Sequence, residues 1–427
     1  MRDVLDKAGR GLLSARRWKE RLLLWLAGAA IGVVAVAFAR LADMAQIELR
    51  RLLAVSTLFP LLLAPAGFCL IAWATKRYFP GAEGSGIPQT IHTLRPEGEA
   101  DAPRLMRARI VVARILLAAV GLFCGGSIGR EGPTVHVGAA IAYSLGRWIP
   151  HGTIAAQRRV LILAGGAAGV AAAFNTPLAG IVFAIEELSR SFEERASGVT
   201  LTTVVLAGIV AIALAGEYTY FGQPVVSDSA HRLSLGTFLV AGVSGVAGGL
   251  FSRVTIASVT GLPGFFGRWQ QHRAWFALGC GALVALIGTL MHGLTYGSGY
   301  VEARSVIGSG AHLTWVYAPA RALATWLSYL SGIPCGLFAP SLSTGAGIGQ
   351  AVADLLHQDS AVPLAILGMC GYLAAVTQAP LTSLVIVMEM TTQHGMVFPL
   401  MVTVIISTAL SRLLSPPLYR TLAQRYL

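Results

Sequence analysis

SIGREGPTV, Ser127 to Val135, sets Arg130 and Glu131 side by side and fences them with Gly129, Gly132 and Pro133. VVARILLAAVGLFCGG (Val111–Gly126) runs before it and VGAAIAYSLG (Val137–Gly146) comes after it, both almost purely apolar. A charge pair in such a setting marks either a loop between buried segments or a polar site placed deliberately among them. What surrounds the stretch decides which.

The surroundings are those of a membrane protein. Of the 427 residues, 55% are hydrophobic and 12% charged, with a mean hydropathy of +0.67. An ordinary soluble domain carries about 25% charged residues, so lipid replaces water as the main solvent. A helix crosses a hydrocarbon core of ~30 Å with ~20 apolar residues. Runs near or at that length are Leu22–Phe38, Leu53–Ala74, Ile110–Cys124, Val199–Leu214, Phe238–Phe251, Trp275–Met291 and Met396–Leu414.

The charge balance fits the same class. Arg and Lys precede the first apolar run in MRDVLDKAGRGLLSARRWKERLLLW, with no small-residue cleavage site closing that run, so a retained cytoplasmic segment 1–21 is expected rather than a signal peptide. Short basic segments such as RLMRAR (Arg104–Arg109) and QRR (Gln157–Arg159) account for the net charge of +12. No aromatic-basic module interrupts the spans, which argues against nucleic acid as a partner. Cys69, Cys124, Cys280, Cys335 and Cys370 are scattered without C-x-x-C spacing, so they read as packing residues and point to neither disulfides nor zinc. No cofactor is indicated. No polar tail follows the last apolar run, so no soluble C-terminal regulatory domain is expected.

The two halves of the chain resemble each other. ILAGGAAGVAAAFNTPLAGIVFAIEE (Ile162–Glu187) aligns without gaps to AILGMCGYLAAVTQAPLTSLVIVMEM (Ala365–Met390) at an offset of 203. Gly165 meets Gly368, Pro177 meets Pro380 and Glu186 meets Glu389; upstream, GREGP (Gly129–Pro133) meets GLFAP (Gly336–Pro340) at an offset of 207. Such an ordered set indicates internal duplication. The expected organisation is a first membrane repeat over 22–215, a connecting loop over 216–233 and a second repeat over 234–427. Duplicated halves with Gly/Pro-interrupted helices point to transport, because broken helices present their ends near the midplane. Pro177 and Pro380 suit first helical turns.

GSGIP (Gly84–Pro88), GREGP and GLFAP share one grammar. A helix that begins inside hydrocarbon exposes N–H groups with a partial charge of about +0.5, and an anion satisfies both. Taken singly, each motif also fits a tight helix connection or close small-residue packing; three in one duplicated chain favour the anion reading.

These motifs resemble the CLC family of chloride channels and proton-coupled chloride transporters. PLAGIVFAIEE (Pro177–Glu187) matches a further signature and PPLY (Pro416–Tyr419) is similar to another, in family order over almost the whole chain. The resemblance implies an all-α polytopic fold of the CLC type, with inverted repeats whose broken helices meet at a central anion site, in a homodimer with one pathway per subunit. It implies that Ser85 and Tyr419 offer hydroxyls to chloride, that Leu337 and Phe338 offer backbone N–H groups, and that Gly132 belongs to the same anion site. Without the family, Ser85 reads as a turn serine and Tyr419 as an interfacial tyrosine.

By the same resemblance Glu131 is the gating carboxylate, an anion on a tether that competes with chloride and leaves when protonated. Placing it at membrane depth costs ~2.5–3.5 kcal/mol on insertion scales. Arg130 reads as a structural partner, the alternative being a plain Arg130–Glu131 pair facing a loop. Glu187, the second acid of the Glu186–Glu187 pair, is implied as the internal proton-transfer group. The two lie ~100° apart on a helix; Glu186 reads as a solvated helix-end acid near Arg190 and Arg195, and Glu389 as structural. Ser85 beside intact GREGP and GLFAP points to chloride rather than nitrate or fluoride. Arg114 departs from relatives that carry lysine there, a charge kept with different geometry.

The expected function is therefore exchange of chloride for protons across the cell inner membrane by a multi-pass protein with both termini cytoplasmic. A passive chloride channel of the same fold is the alternative, which Glu187 disfavours. A serine hydrolase, the further alternative, is disfavoured on spacing, since His92 lies two helical turns, roughly 10 Å, from Ser85. His136 has no second ligand at helical spacing and reads as packing.

Overall fold

The computed structural model describes residues 15–149, 158–188, 198–216, 220–224, 226, 232–261 and 264–426. It is helical throughout, and no strand of a sheet occurs among the described residues. Parts of the expected loop 216–233, most of segment 1–21, Gln157, Arg190 and Arg195 lie outside the described residues.

The first half comprises α1 (Ala15–Val55), α2 (Phe59–Tyr78), α3 (Ile87–Thr93), α4 (Ala108–Phe123), α5 (Glu131–Leu145), α6 (Arg158–Phe174), α7 (Pro177–Phe183) and α8 (Gly198–Ala215). The second comprises α9 (Leu235–Thr260), α10 (Gly264–Gln271), α11 (Arg273–Leu290), α12 (Tyr300–Ser309), α13 (Tyr317–Leu330), α14 (Phe338–Leu355), α15 (Val362–Thr377), α16 (Pro380–Thr391), α17 (Val397–Leu414) and α18 (Leu418–Ala423). Six of these are long and apolar enough to cross a membrane: α1, α2, α8, α9, α11 and α17 (with the turn that leads into it). Their outward faces carry Leu62, Leu70, Leu201, Ile209, Leu250, Leu283, Leu290 and Ile405, as lipid contact demands. The protein is a polytopic membrane protein.

Two expected spans move. The first helix begins by Ala15 and runs for 41 residues, roughly 60 Å. The apolar run Leu53–Ala74 is split, because the Ser56 hydroxyl takes the N–H of Leu58 and Pro60 opens α2 as a new helix.

The remaining helices are short or buried, and they assemble the centre. α5 packs on α6, and α14 on α15, as two hairpins. The crossings need glycine. A Cβ on Gly138 would meet the Gly165 carbonyl at 2.2 Å, and one on Gly345 would meet the Gly368 carbonyl at 2.2 Å. The Gly165/Gly368 correspondence is thus a packing requirement used twice.

α7 and α16 run antiparallel and cap each other. Glu389 accepts from the N–H groups of Leu178 and Ala179 at 3.3 and 2.8 Å, while Glu186 accepts from those of Leu381 and Thr382 at 3.1 and 2.7 Å. Pro177 and Pro380 open these helices, as their spacing predicts. Glu186 is not the solvated acid that its position suggests: a helix of the other half needs its carboxylate.

Candidate functional site

Four short non-helical segments meet where the halves join. Gly129 and Gly336 exchange both backbone hydrogen bonds, each at 2.8 Å. Gly84 donates to the Ile333 carbonyl at 3.2 Å, and Gly297 donates to the Gly126 carbonyl at 3.1 Å. Each half therefore holds the other's loop, and α3, α5, α12 and α14 all begin within this knot.

Two fully buried arginines fix two of the loops. Arg114 donates to the carbonyls of Gly84 and Gly81 at 2.9 and 2.7 Å. Arg321 donates to those of Tyr296 and Gly297 at 3.2 and 2.7 Å. Each guanidinium serves carbonyls from both terminal nitrogens, Arg321 also reaching that of Leu294 at 3.5 Å, which a single ammonium matches poorly. Gly86 and Gly299 precede α3 and α12 with φ +86° and +85°, a left-handed conformation that glycine enters freely.

Ser85 is fully buried in the first loop, where its Oγ takes the N–H of Ile87 at 3.4 Å, a long and weak contact. Gly132 lies against it: a Cβ there would meet the Ser85 carbonyl at 2.9 Å and its Cβ at 3.1 Å. Gly132 thus brings the start of α5 onto the Ser85 loop. Leu337 and Phe338 are buried at the start of α14, where N–H groups have no acceptor within the helix. The Phe338 ring touches Phe174, Phe183 and Tyr419 at centroid distances of 5.7, 6.1 and 6.1 Å. Tyr419, wholly buried on α18, has no protein partner for its hydroxyl. Serine hydroxyl, free phenol and open amides are neutral donors, a set suited to an anion held weakly enough to leave.

Glu131 is fully buried at the first position of α5. Its Oε1 accepts from the Tyr300 hydroxyl at 2.8 Å, while Oε2 makes no hydrogen bond and lies within electrostatic reach of the N–H groups of Ala339 and of its own residue. It stands where an anion would be stabilised by two helix N-termini. Arg130 does not pair with it. The guanidinium donates instead to Asp43 at 2.6 Å, the Ala39 carbonyl at 2.7 Å and the Tyr220 hydroxyl at 2.8 Å. The plain Arg130–Glu131 ion pair does not form, because the terminal nitrogens of the arginine go to Asp43, Ala39 and Tyr220; Arg130 acts on Glu131 only as a nearby positive charge.

Glu187 is buried on a π-helical turn, Ala184–Leu188, that continues α7. The wider turn sends Glu186 to α16 and Glu187 inward, and such turns recur at functional sites. Glu187 interacts electrostatically with Arg420, and Tyr419 lies in electrostatic reach of both Glu131 and Glu187. The structure thus gathers Ser85, Gly132, Leu337, Phe338 and Tyr419 at one centre, with Glu131 beside it and Glu187 in electrostatic reach of Tyr419.

Two cavities approach this centre. One of about 530 Å³, lined by Glu83, Gly84, Arg273, Tyr329 and Arg425, reaches the Ser85 loop. Another of about 200 Å³, lined by Gln46, Arg50, His292, Gly297 and Glu302, reaches the equivalent loop before α12. His92, by contrast, is bound to Asp101 at 3.0 Å, away from Ser85. No group of three or more His, Cys, Asp or Glu placed for a metal occurs among the described residues.

Sequence reading missed Tyr300 and Arg321. Their signal was present: GSG at Gly297–Gly299 repeats GSG at Gly84–Gly86, and Arg321 follows Arg114 by 207, the offset of GLFAP from GREGP.

Fold and centre together define a polytopic helical membrane protein in which two similar halves interlock through the starts of broken helices. The profile described as "Voltage gated chloride channel" matches residues 66–412. The H(+)/Cl(-) exchange transporter ClcA of Salmonella agona (strain SL483) is 32% identical over 393 residues, covering 86% of this chain and 77% of that protein. The chain belongs to the voltage-gated chloride channel family, the one its motifs resemble. Its fold is similar to that of a slow cyanobacterial Cl-/H+ antiporter, with TM-score 0.78, 24% identity and coverage of 96% of this chain and 98% of the other. It is also similar to a CLC-type fluoride/proton antiporter, with TM-score 0.72, 22% identity and coverage of 94% and 97%.

Proposed function

We propose that this protein exchanges chloride for protons across a membrane. The observation that carries the reading is the place of Glu131: a buried carboxylate at the amide ends of two helices, beside the hydroxyls of Ser85 and Tyr419. A carboxylate and a chloride compete for those amides. Protonation removes the carboxylate's charge and its claim on the site, so one proton taken up admits one anion. Ser85, Tyr419, Gly132 and the N–H groups of Leu337 and Phe338 form the chloride site. Glu187, buried and unbonded at Oε1, passes protons between Glu131 and the other side. The 32% identity to a protein named as a proton/chloride exchanger supports this over a passive channel.

The two repeats occupy 22–215 and 234–427, joined by the loop 216–233. The protein works as a homodimer in a cell inner membrane, with both termini cytoplasmic and no enzymatic role. The test is proton movement driven by a chloride gradient in liposomes holding the purified protein, with voltage set by valinomycin and potassium. Uphill proton movement supports exchange, and chloride flux without it would establish a channel instead.

A further inference from the structure

Tyr300 contacts Glu131 and belongs to none of the motifs that define the chloride site. Its hydroxyl donates to Glu131 Oε1 at 2.8 Å. The ring is held in place by its neighbours. Tyr220 stacks on it at a centroid distance of 4.9 Å and 28° between planes, and Phe221 packs at 5.8 Å. The Arg130 guanidinium lies over both tyrosines, at 5.8 and 6.0 Å from their centroids. Tyr220 is itself pinned, donating to the Ala173 carbonyl at 2.9 Å and accepting from Arg130 at 2.8 Å. Three parts of the chain converge here: α5, α12 of the second half, and the segment Tyr220–Phe221.

We propose that Tyr300 is a latch, a positioning residue whose hydroxyl holds the Glu131 carboxylate against the starts of α5 and α14 and must let go before chloride passes. The inference rests on the reading of Glu131 as the carboxylate that competes with chloride. The geometry explains why the latch opens on the right event. A phenol bonded to a charged carboxylate is about twice as strong a contact as one bonded to a neutral acid. Protonating Glu131 therefore weakens its attraction to the amides and its bond to Tyr300 together. The aromatic clamp keeps the phenol in place meanwhile, so the carboxyl moves and Tyr300 stays. The equivalent loop before α3 has Ile87 where the loop before α12 has Tyr300, so only one half carries a donor at this position.

The test is a double-mutant cycle read as chloride efflux from liposomes. Tyr300→Phe keeps the ring and its stacking and removes one charge-assisted hydrogen bond, so chloride turnover should rise about tenfold. In a Glu131→Ala background the same change should do nothing, because the latched group is gone. Tyr220→Phe, which loosens the clamp without touching Glu131, should raise turnover less. A Tyr300→Phe protein whose turnover is unchanged or slower overturns the latch. So does an effect of equal size in the alanine background, which is what a packing role would give. Proton coupling is read in the same liposomes: if Glu131→Ala alone stays coupled, the assignment of Glu131 fails and the latch falls with it. Coupling lost in Glu131→Ala but no response to Tyr300→Phe overturns the latch alone.

Discussion

Glu186 and Glu389, 203 positions apart in sequence, each supply the N-terminal cap of the helix that carries the other. The exchange is reciprocal: Glu389 takes the first free amides of α7, and Glu186 takes those of α16. Such a reciprocal contact suits two helices that run antiparallel to each other. Gly129 and Gly336 make the same kind of symmetric exchange at the centre. Both pairs join the first half of the chain to the second.

The caps should matter equally. Replacing a capping side chain costs about 0.5–2 kcal/mol, and here a negative charge at a helix start is lost as well. Glu186→Gln and Glu389→Gln should each lower the thermal unfolding temperature in detergent by similar amounts. Chloride flux per folded molecule should change little. A cost confined to one of the two would contradict their equivalence.

The two buried acids should separate by function. Glu131→Gln removes the competing charge and should abolish proton movement while chloride still flows. Glu187→Gln should also stop proton movement, since the other acids of that helix pair, Glu186 and Glu389, are engaged as helix caps, and leave chloride binding near the parental level. Measured in the same liposomes, proton flux that survives in either variant would remove that acid from the proton path.

Much of this centre was legible in the sequence because its parts are local. A helix start in hydrocarbon needs glycine and proline at fixed spacing, so GSGIP, GREGP and GLFAP announce themselves. The correspondence of Gly165 with Gly368 was legible too, and both hairpin crossings demand the small size of these residues. What could not be read is contact across the fold. Spacing makes Glu186 a helix-end acid, and only the approach of α16 turns it into a cap. Arg130 stands beside Glu131 in the chain, yet Asp43 and Tyr220, from other segments, take its donors. Tyr300 is harder still: its loop repeats the first one for three residues and then diverges at the residue that meets Glu131.

Arg114 and Arg321 offer a controlled comparison, because each is buried and donates to loop carbonyls from both terminal nitrogens. Lysine at either position keeps the charge but loses a bond to one carbonyl, at about 1.5–3 kcal/mol. Stability should fall to a similar degree in Arg114→Lys and Arg321→Lys. Only Arg114→Lys loosens the loop that presents Ser85, so only it should weaken chloride binding, by about tenfold for a loss near 1.4 kcal/mol. Calorimetric chloride titration of both variants checks the difference, and equal weakening would detach Ser85 from the site.

Glycines distinguish packing from positioning. Alanine at Gly138 would put its Cβ 2.2 Å from the Gly165 carbonyl, a backbone atom that cannot turn aside. Overpacking of that kind costs about 3 kcal/mol or more, so Gly138→Ala should yield little monodisperse protein, and Gly345→Ala, with the same clash on Gly368, should behave alike. Gly132→Ala meets the Ser85 carbonyl at 2.9 Å and the Ser85 Cβ at 3.1 Å. That carbonyl is backbone too, so the Ser85 loop has to shift, but the overlap is far smaller than at Gly138 and the protein should still fold with some loss of stability. The cost then falls mainly on function, because Ser85 moves off the position from which it faces the anion. Small displacements of positioning groups lose rate steeply, so chloride turnover should drop about tenfold, with yield and unfolding temperature lowered far less than in Gly138→Ala. Parental turnover in Gly132→Ala would mean that the approach of α5 to Ser85 serves packing alone.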